Sequence, residues 1–80
     1  MIMTKEHKEE TLQKIRRNAK EELAEIVEFT KALNKEFSKE FVGTSYVNEK
    51  TRRIKARVDA VLKHLDTLRE FEKARVLEDN

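Results

Sequence analysis

Apolar residues in the second half of the chain recur at alternating intervals of four and three positions, with one threonine among them. The positions are Val47, Thr51, Ile54, Val58, Val61, Leu65 and Leu68. Such a 3.5-residue repeat is typical of a helix that packs along a narrow, coiled-coil-like seam. The pattern therefore predicts a helix over residues 48 to about 77, with this seam turned toward a partner helix.

The first half of the chain has a wider apolar stripe at helical spacing. Its members are Leu12, Ile15, Ala19, Leu23, Ile26, Leu33, Phe37 and Phe41. Val27 and Phe29 broaden this stripe beyond what one neighbouring helix can cover. Thr4 is a suitable N-cap, and the acidic residues after it favour the start of a helix, so the first helix is expected over residues 4 to about 42.

A short polar segment separates the two helical patterns. It contains Gly43, the one glycine of the chain, which we expect to end the first helix in the left-handed conformation. Thr44, Ser45 and Asn48 are three candidate N-caps for the second helix. A turn over residues 43 to 48 folds the helices back antiparallel, and residues 1 to 3 and 78 to 80 are expected to fray.

These elements predict an all-α fold, a helical hairpin of two long antiparallel helices in a single domain over residues 1 to 80. A chain of this length buries a small core, and without cysteine it has no disulfide to add stability. We therefore expect a homo-oligomeric helix bundle. Basic residues at 14 to 20 adjoin acidic residues at 21 to 25, which suits contacts between subunits. The expected interface residues are Lys20, Leu23, Val27, Phe29, Val58, Val61, Leu65 and Leu68.

Charge is nearly balanced along the chain, with 18 Lys and Arg residues against 16 Asp and Glu residues and a net charge of +2. Bulk charge therefore gives no support to nonspecific nucleic-acid binding, and long nucleic acid is a less favoured partner. No apolar run approaches the roughly 20 residues that span a bilayer, and the N-terminal segment lacks the apolar stretch of a signal peptide. We expect a cytoplasmic protein without membrane contact.

Side chains that carry catalysis are scarce. The chain has no cysteine, no glycine-rich loop and two histidines, His7 and His64. Asp66 is two residues from His64, which places the two side chains on different faces of a helix. Neither histidine has an orienting partner or a second metal ligand at a suitable spacing. We expect no enzyme activity, no catalytic residue, no metal site and no cofactor.

Basic residues cluster at the end of the hairpin that holds the turn. Lysines recur every four positions on the first helix, and the second helix begins with several more cations. This end is a candidate anion site in which Arg52 and Arg53 hold a phosphate or carboxylate and Tyr46 stacks on a base. The alternative, left open here, is a solvated surface neutralised by nearby glutamates. The candidate ligand-binding residues are Lys31, Lys35, Lys39, Tyr46, Lys50, Arg52 and Arg53.

Two segments resemble a known family. IRRNAKEELAEIV at 15 to 27 and NEKTRRIKARVDAVL at 48 to 62 are similar to the two hairpin helices of small phage proteins that sequester cyclic-nucleotide immune signals, the anti-CBASS sponges and their anti-Thoeris relative. The chain lacks that family's proline-containing turn. The resemblance implies an all-helical homo-oligomer that binds a nucleotide between subunits, with Lys20, Lys50 and Thr51 as the nearest equivalents of its polar positions, and it adds Thr51 to the candidate ligand-binding residues.

Three functions are consistent with these observations. The first is sequestration of a phosphorylated nucleotide messenger by a phage-type anti-defence protein. The second is a protein–protein inhibitor or adaptor that docks an amphipathic helix face on a partner such as a host protein. The third is a helical nucleic-acid-binding protein, whose affinity would fall steeply with salt.

Overall fold

The computed structural model describes residues 2–77, which form two long helices and two short strands. The order is β1 (Ile2–Thr4), α1 (Lys5–Phe37), α2 (Thr44–Glu72) and β2 (Arg75–Leu77). The two helices pack against each other as an antiparallel hairpin that measures 68 × 15 × 11 Å. The predicted all-helical hairpin is confirmed, with a small strand pair added at the end away from the turn. Within residues 2–77, no helix combines the length and apolar content needed to cross a bilayer.

Helix α1 starts where the sequence predicts and ends earlier. The Thr4 side chain accepts a hydrogen bond from the His7 backbone N–H at 3.2 Å, which confirms Thr4 as the N-cap. The helix stops at Phe37 instead of residue 42. Ser38 and Lys39 donate backbone hydrogen bonds of 3.2 Å to the carbonyls three residues back, at Lys35 and Glu36, and this tighter pattern closes the last turn.

The prediction for Gly43 is wrong. It has φ −75°, and no residue in the described range has a positive φ, so the chain needs no left-handed position here. Gly43 instead precedes α2 as its N-cap, without a side-chain cap, and Thr44, Ser45 and Asn48 all lie inside the helix. The turn therefore covers residues 38 to 43. The Gly43 backbone N–H donates to the Glu36 carboxylate at 3.0 Å, which ties the turn to α1.

The inward side of α2 is rotated relative to the predicted seam. The half-buried heptad-spaced positions are Val47, Lys50, Ile54, Arg57, Val61, His64, Leu68 and Phe71. One predicted row is confirmed, but Thr51, Val58 and Leu65 are exposed, and Thr51 donates its hydroxyl to the carbonyl of Val47 at 2.7 Å. The physical reason is that long amphipathic side chains pack their stems inward and reach partners on α1 from this rotation.

A parallel strand pair joins the two ends of the described chain. Ile2 pairs with Arg75, Met3 with Val76 and Thr4 with Leu77. Helix α2 therefore ends at Glu72 instead of about 77, and the predicted fraying is wrong for residues 2 and 3. The predictions for residues 1 and 78 to 80 lie outside the described residues.

A lysine from α1 supports this strand pair. The Lys8 Nζ donates to the carbonyls of Glu72 and Ala74, at 3.0 and 3.1 Å, where α2 leaves its last carbonyls without helical partners. Met3 and Ala74 are buried beside this contact, at 7% exposure each. The end away from the turn is thus closed by main-chain pairing, a lysine cap and a small apolar cluster.

The apolar core of the hairpin is thin. Among the residues whose side chains the structure describes, the buried apolar residues are Met3, Ile15 and Ala74, and the expected seam residues Val61 and Leu68 are half-buried. A two-helix layer cannot enclose the wide stripes that both helices carry. Much apolar side-chain surface therefore remains on the outside.

Candidate functional site

One side of the hairpin carries a row of exposed apolar side chains from both helices, here called the apolar face. Its members and their exposed fractions are Leu23 50%, Val27 50% and Phe37 62% on α1, and Val58 41%, Leu62 54% and Leu65 42% on α2. Each of these residues directly follows an inward-facing residue in the sequence. On both helices they are therefore rotated away from the inward side in the same direction. Because the helices are antiparallel, that shared rotation brings both sets to one side of the hairpin.

A groove on this face lies in the half of the hairpin away from the turn. Its volume is about 230 Å³, and its floor is apolar, made by Ile15, Ala19, Leu65 and Leu68. Arg16, Lys20 and His64 complete the lining. Lys20 therefore lies at the rim of the groove, where the sequence predicts an interface residue. Ala19 leaves space in the floor that a larger side chain from another helix could occupy.

Ion pairs link the two helices at their inward positions. The Arg57 guanidinium contacts the Glu22 carboxylate at 3.3 Å through Nη1 and the Glu25 carboxylate at 2.6 Å through Nε. These groups are part-exposed, so solvent weakens the attraction, but the two-point contact fixes the rotation of α2 against α1. Ion pairs therefore hold the two helices together, whereas the apolar face carries exposed hydrophobic side chains.

The structure brings the predicted basic cluster together at the turn end, and internal partners occupy several of its members. Lys31 lies 3.6 Å from Glu28, Lys39 2.8 Å from Glu36, and Arg53 2.9 Å from Glu49. The Lys50 ammonium lies over the rings of Phe29 and Tyr46, 5.3 and 5.4 Å from their centroids. Within the described residues, Lys35 and Arg52 form no ion pair.

A cleft beside this cluster holds Glu36, a buried charged residue. The cleft is about 530 Å³ and is lined by Ala32, Lys35, Glu36, Lys39 and Tyr46. The hydrogen bonds from Lys39 and from the Gly43 backbone N–H lower the pKa of Glu36, and the same carboxylate raises the pKa of Lys39. A negative charge is therefore held inside the cleft, where it opposes the approach of a phosphate.

The predicted site residues fall into three places. Leu23, Val27, Val58 and Leu65 lie on the apolar face, as expected of an interface, whereas Phe29 lies between the helices under Lys50. The ligand-binding predictions lie at the turn end, and Thr51 is exposed beside them.

Sequence reasoning missed several residues of these surfaces, among them Phe37 and Leu62 on the apolar face and Glu36 in the cleft. Leu62 completes the apolar face one turn after Val58, and that spacing of four was the available signal. The role of Glu36 carried no sequence signal, because its contact with Gly43 depends on the path of the turn.

The two histidines lie in different parts of the hairpin. His7 is exposed near the start of α1, and His64 lines the groove together with Arg16 and Lys20. Across residues 2–77, no three His, Asp or Glu side chains are arranged to hold a metal ion.

Comparison with known proteins gives no match: no family model, no curated protein and no solved structure is similar to this chain. The resemblance to the anti-CBASS and anti-Thoeris proteins therefore stays a prediction.

Proposed function

We propose that this chain is a non-catalytic helical interaction module that works as a homo-oligomer, with the apolar face covered by a second copy. The observation that carries the proposal is the row of half-exposed Leu, Val and Phe side chains along one side of the hairpin. Contiguous apolar surface of this kind marks interaction sites on folded proteins.

The exposed area of the chain agrees with such a partner. A folded monomer of 9.5 kDa exposes about 5,000 Å² by the general scaling of surface with mass, whereas this hairpin exposes 6705 Å². The excess is roughly 1,700 Å², and a standard protein–protein interface removes about 800 Å² from each partner. One additional hairpin laid on the apolar face therefore has enough surface to bury.

Because the core of one hairpin is small, association would add to the free energy of unfolding. The buried apolar side chains of the described part of the chain, Met3, Ile15 and Ala74, offset little of the chain entropy that folding costs. Packing two hairpins into a four-helix bundle buries the remaining apolar residues of both helices in one core. Folding and association then stabilise each other, and the assembly is more stable than the isolated hairpin.

Light scattering after size-exclusion chromatography tests this proposal. We expect the wild-type chain to have the mass of a dimer or a larger assembly, and Leu62→Asp to have the mass of one chain because a carboxylate then interrupts the apolar face. The matched control is Ala56→Asp, which adds the same charge at an exposed position of α2 away from that face. A wild-type monomer at about 0.1 mM, or a Leu62→Asp variant that keeps the wild-type mass, contradicts the proposal.

Sequestration of a phosphorylated nucleotide is the second proposal. Its support is two cations at the turn end that form no ion pair within residues 2–77, Lys35 and Arg52, and Tyr46, which lines the same cleft as Lys35 and would stack on a base. The charge of Glu36 in the same cleft makes it the weaker of the two.

Native mass spectrometry of gently purified protein tests the nucleotide proposal. We expect a small phosphorylated ligand that is lost in a Lys35→Ala, Arg52→Ala variant and kept in a Lys14→Ala, Arg17→Ala control at the other end. A ligand-free spectrum contradicts it.

A further inference from the structure

We propose that the second copy packs on the apolar face with its turn at the same end of the bundle, so that α1 of each copy lies on α2 of the other. This inference rests on the function proposed above and specifies its partner and geometry. The charges along the two edges of the apolar face carry it, because they complement each other in this arrangement and oppose each other in the alternative one.

The contacts within the hairpin define which residues are level with one another. Lys8 reaches the end of α2 at Glu72, Glu22 meets Arg57, and Lys50 lies over Phe29. Each step along α1 is therefore matched by one step back along α2. In this register Lys20 lies at the same height along the hairpin as Ala60, which is next to Asp59. Arg16 lies at the same height as His64, which is two residues from Asp66.

The two edges of the apolar face carry opposite charges at the level of the groove, and Arg69 follows Asp66 farther along α2. On α1, Arg16 and Lys20 border the groove. On α2, Asp59 and Asp66 lie three residues before and four residues after Leu62, so they flank it on the same side of the helix. None of these four groups forms an ion pair within the described residues.

A second copy with its turn at the same end makes these edges meet. Its α2 runs antiparallel to the first copy's α1 in the same register as within one hairpin. Lys20 then lies beside Asp59 of the second copy, and Arg16 lies near Asp66 of the second copy. A two-fold axis along the bundle repeats both contacts, so the dimer has four oppositely charged edge contacts and each helix is antiparallel to both of its neighbours.

The other two-fold arrangement, with turns at opposite ends, brings like charges together. In this arrangement α1 packs on α1 of the second copy and α2 packs on α2 of the second copy. The middle of each helix then contacts the middle of the same helix in the other copy. Glu21 is the middle residue of α1, and Val58 is the middle residue of α2. Lys20 then faces Lys20 of the second copy, and Asp59 faces Asp59. Repulsion between these like charges disfavours this arrangement and favours the one with both turns at the same end.

The shape of the face agrees with the arrangement that the charges select. The large exposed side chains of α2, Leu62 and Leu65, are in the half away from the turn, where α1 contributes the small Ala19 to the groove. With the turns at one end, these leucines of each copy lie over the Ala19 groove of the other. Large side chains then fill small positions on both sides of the axis.

Cysteine cross-linking tests the arrangement directly, since the chain has no cysteine of its own. Differently tagged Lys20→Cys and Asp59→Cys chains are mixed by refolding and treated with a short bis-maleimide. We expect a mixed-tag cross-linked dimer and no cross-linking of Lys20→Cys with itself. Cross-linking of Lys20→Cys alone, or a dimer by mass in which the mixed chains fail to cross-link, overturns the arrangement while the proposed function stands. A monomer by mass removes the proposed function itself.

Charge exchange supplies a second test. One variant combines Arg16→Glu with Lys20→Glu, and the other combines Asp59→Lys with Asp66→Lys. We expect each variant alone to dissociate at least roughly tenfold more readily than the wild type, and the mixture of the two to form a heterodimer at near wild-type affinity. Circular dichroism of each variant checks that the helices are retained. A variant that dimerises as tightly alone as the wild type, or a mixture that stays dissociated, overturns the inference.

Discussion

Replacing Ile15 by Ala tests whether the thin core carries the stability of the hairpin. Ile15 is 8% exposed, and it is the one buried apolar residue in the described length of the two helices. Truncating such a side chain costs about 2 to 4 kcal/mol, through lost burial and the cavity left behind. A domain of this size has roughly 4 to 12 kcal/mol of total stability. We therefore expect the melting temperature to fall by about 10 to 25 °C.

The assay is thermal unfolding followed by circular dichroism at one fixed protein concentration, because association also contributes to the transition. Ile2→Ala is the matched control: it makes the same chemical change at a side chain that is 62% exposed, so less than about 1 kcal/mol should be lost. A shift for Ile15→Ala as small as that of the control would refute the placement of Ile15 between the helices. It would also remove the register on which the edge contacts of the bundle depend.

Two further predictions concern the turn. Gly43→Ala should lower stability by about 1 kcal/mol in a urea titration, because φ −75° suits alanine but the new Cβ lies 2.9 Å from the Glu36 Oε1 that accepts the Gly43 N–H, so this hydrogen-bonded carboxylate must shift; a variant as stable as the wild type would contradict the contact between Glu36 and Gly43. Glu36 has a pKa below its ordinary 4.5, so its contribution to stability is present above pH 4.5 and is lost as the pH falls through the lowered pKa. Lys39 has a pKa above its ordinary 10.5, so its contribution is present below pH 10.5 and is lost as the pH rises through the raised pKa. Glu36→Gln should remove both losses when melting temperatures are compared at pH 3, 7 and 11, and a variant with the pH dependence of the wild type contradicts this.

The two helices could be predicted from the sequence because their signals are local. Heptad spacing on α2 and the Thr4 cap on α1 depend on neighbours within a few residues, and both are observed. The rotation of α2 could not be predicted, since hydrophobicity favours Val58 and Leu65 as inward residues. The structure turns Arg57 and His64 inward instead, because Arg57 reaches two carboxylates of α1 from there.

The turn and the strands depend on contacts that have no local signature. Gly43 follows the usual pattern of a helix end, but α1 has already stopped, and the Glu36 carboxylate holds the glycine N–H across the turn. Residues 2 to 4 pair with residues 75 to 77 only because the hairpin brings the ends of the chain together. Short strands far apart in sequence are beyond the reach of periodicity.

The candidate surfaces were predictable to different degrees. The sequence placed an apolar surplus around Val27, and the structure extends it to both helices through Leu62. It placed a basic cluster at the turn end, but not the partners within that cluster, since Lys50 over Phe29 and Tyr46 is a tertiary contact. Charge counted along a sequence overstates the charge available to a ligand when such contacts form.

The parallel pairing of β1 with β2 has a mechanical consequence. An open-ended hairpin under tension separates one contact at a time, starting from its free end. In this chain a pull between residue 2 and residue 77 acts along two strands that run in the same direction, so it slides one past the other and loads all of their hydrogen bonds together. The Lys8 contacts to Glu72 and Ala74 lie directly behind this pair. The hairpin therefore resists unzipping at its ends, and yielding requires the whole strand pair to break in one step.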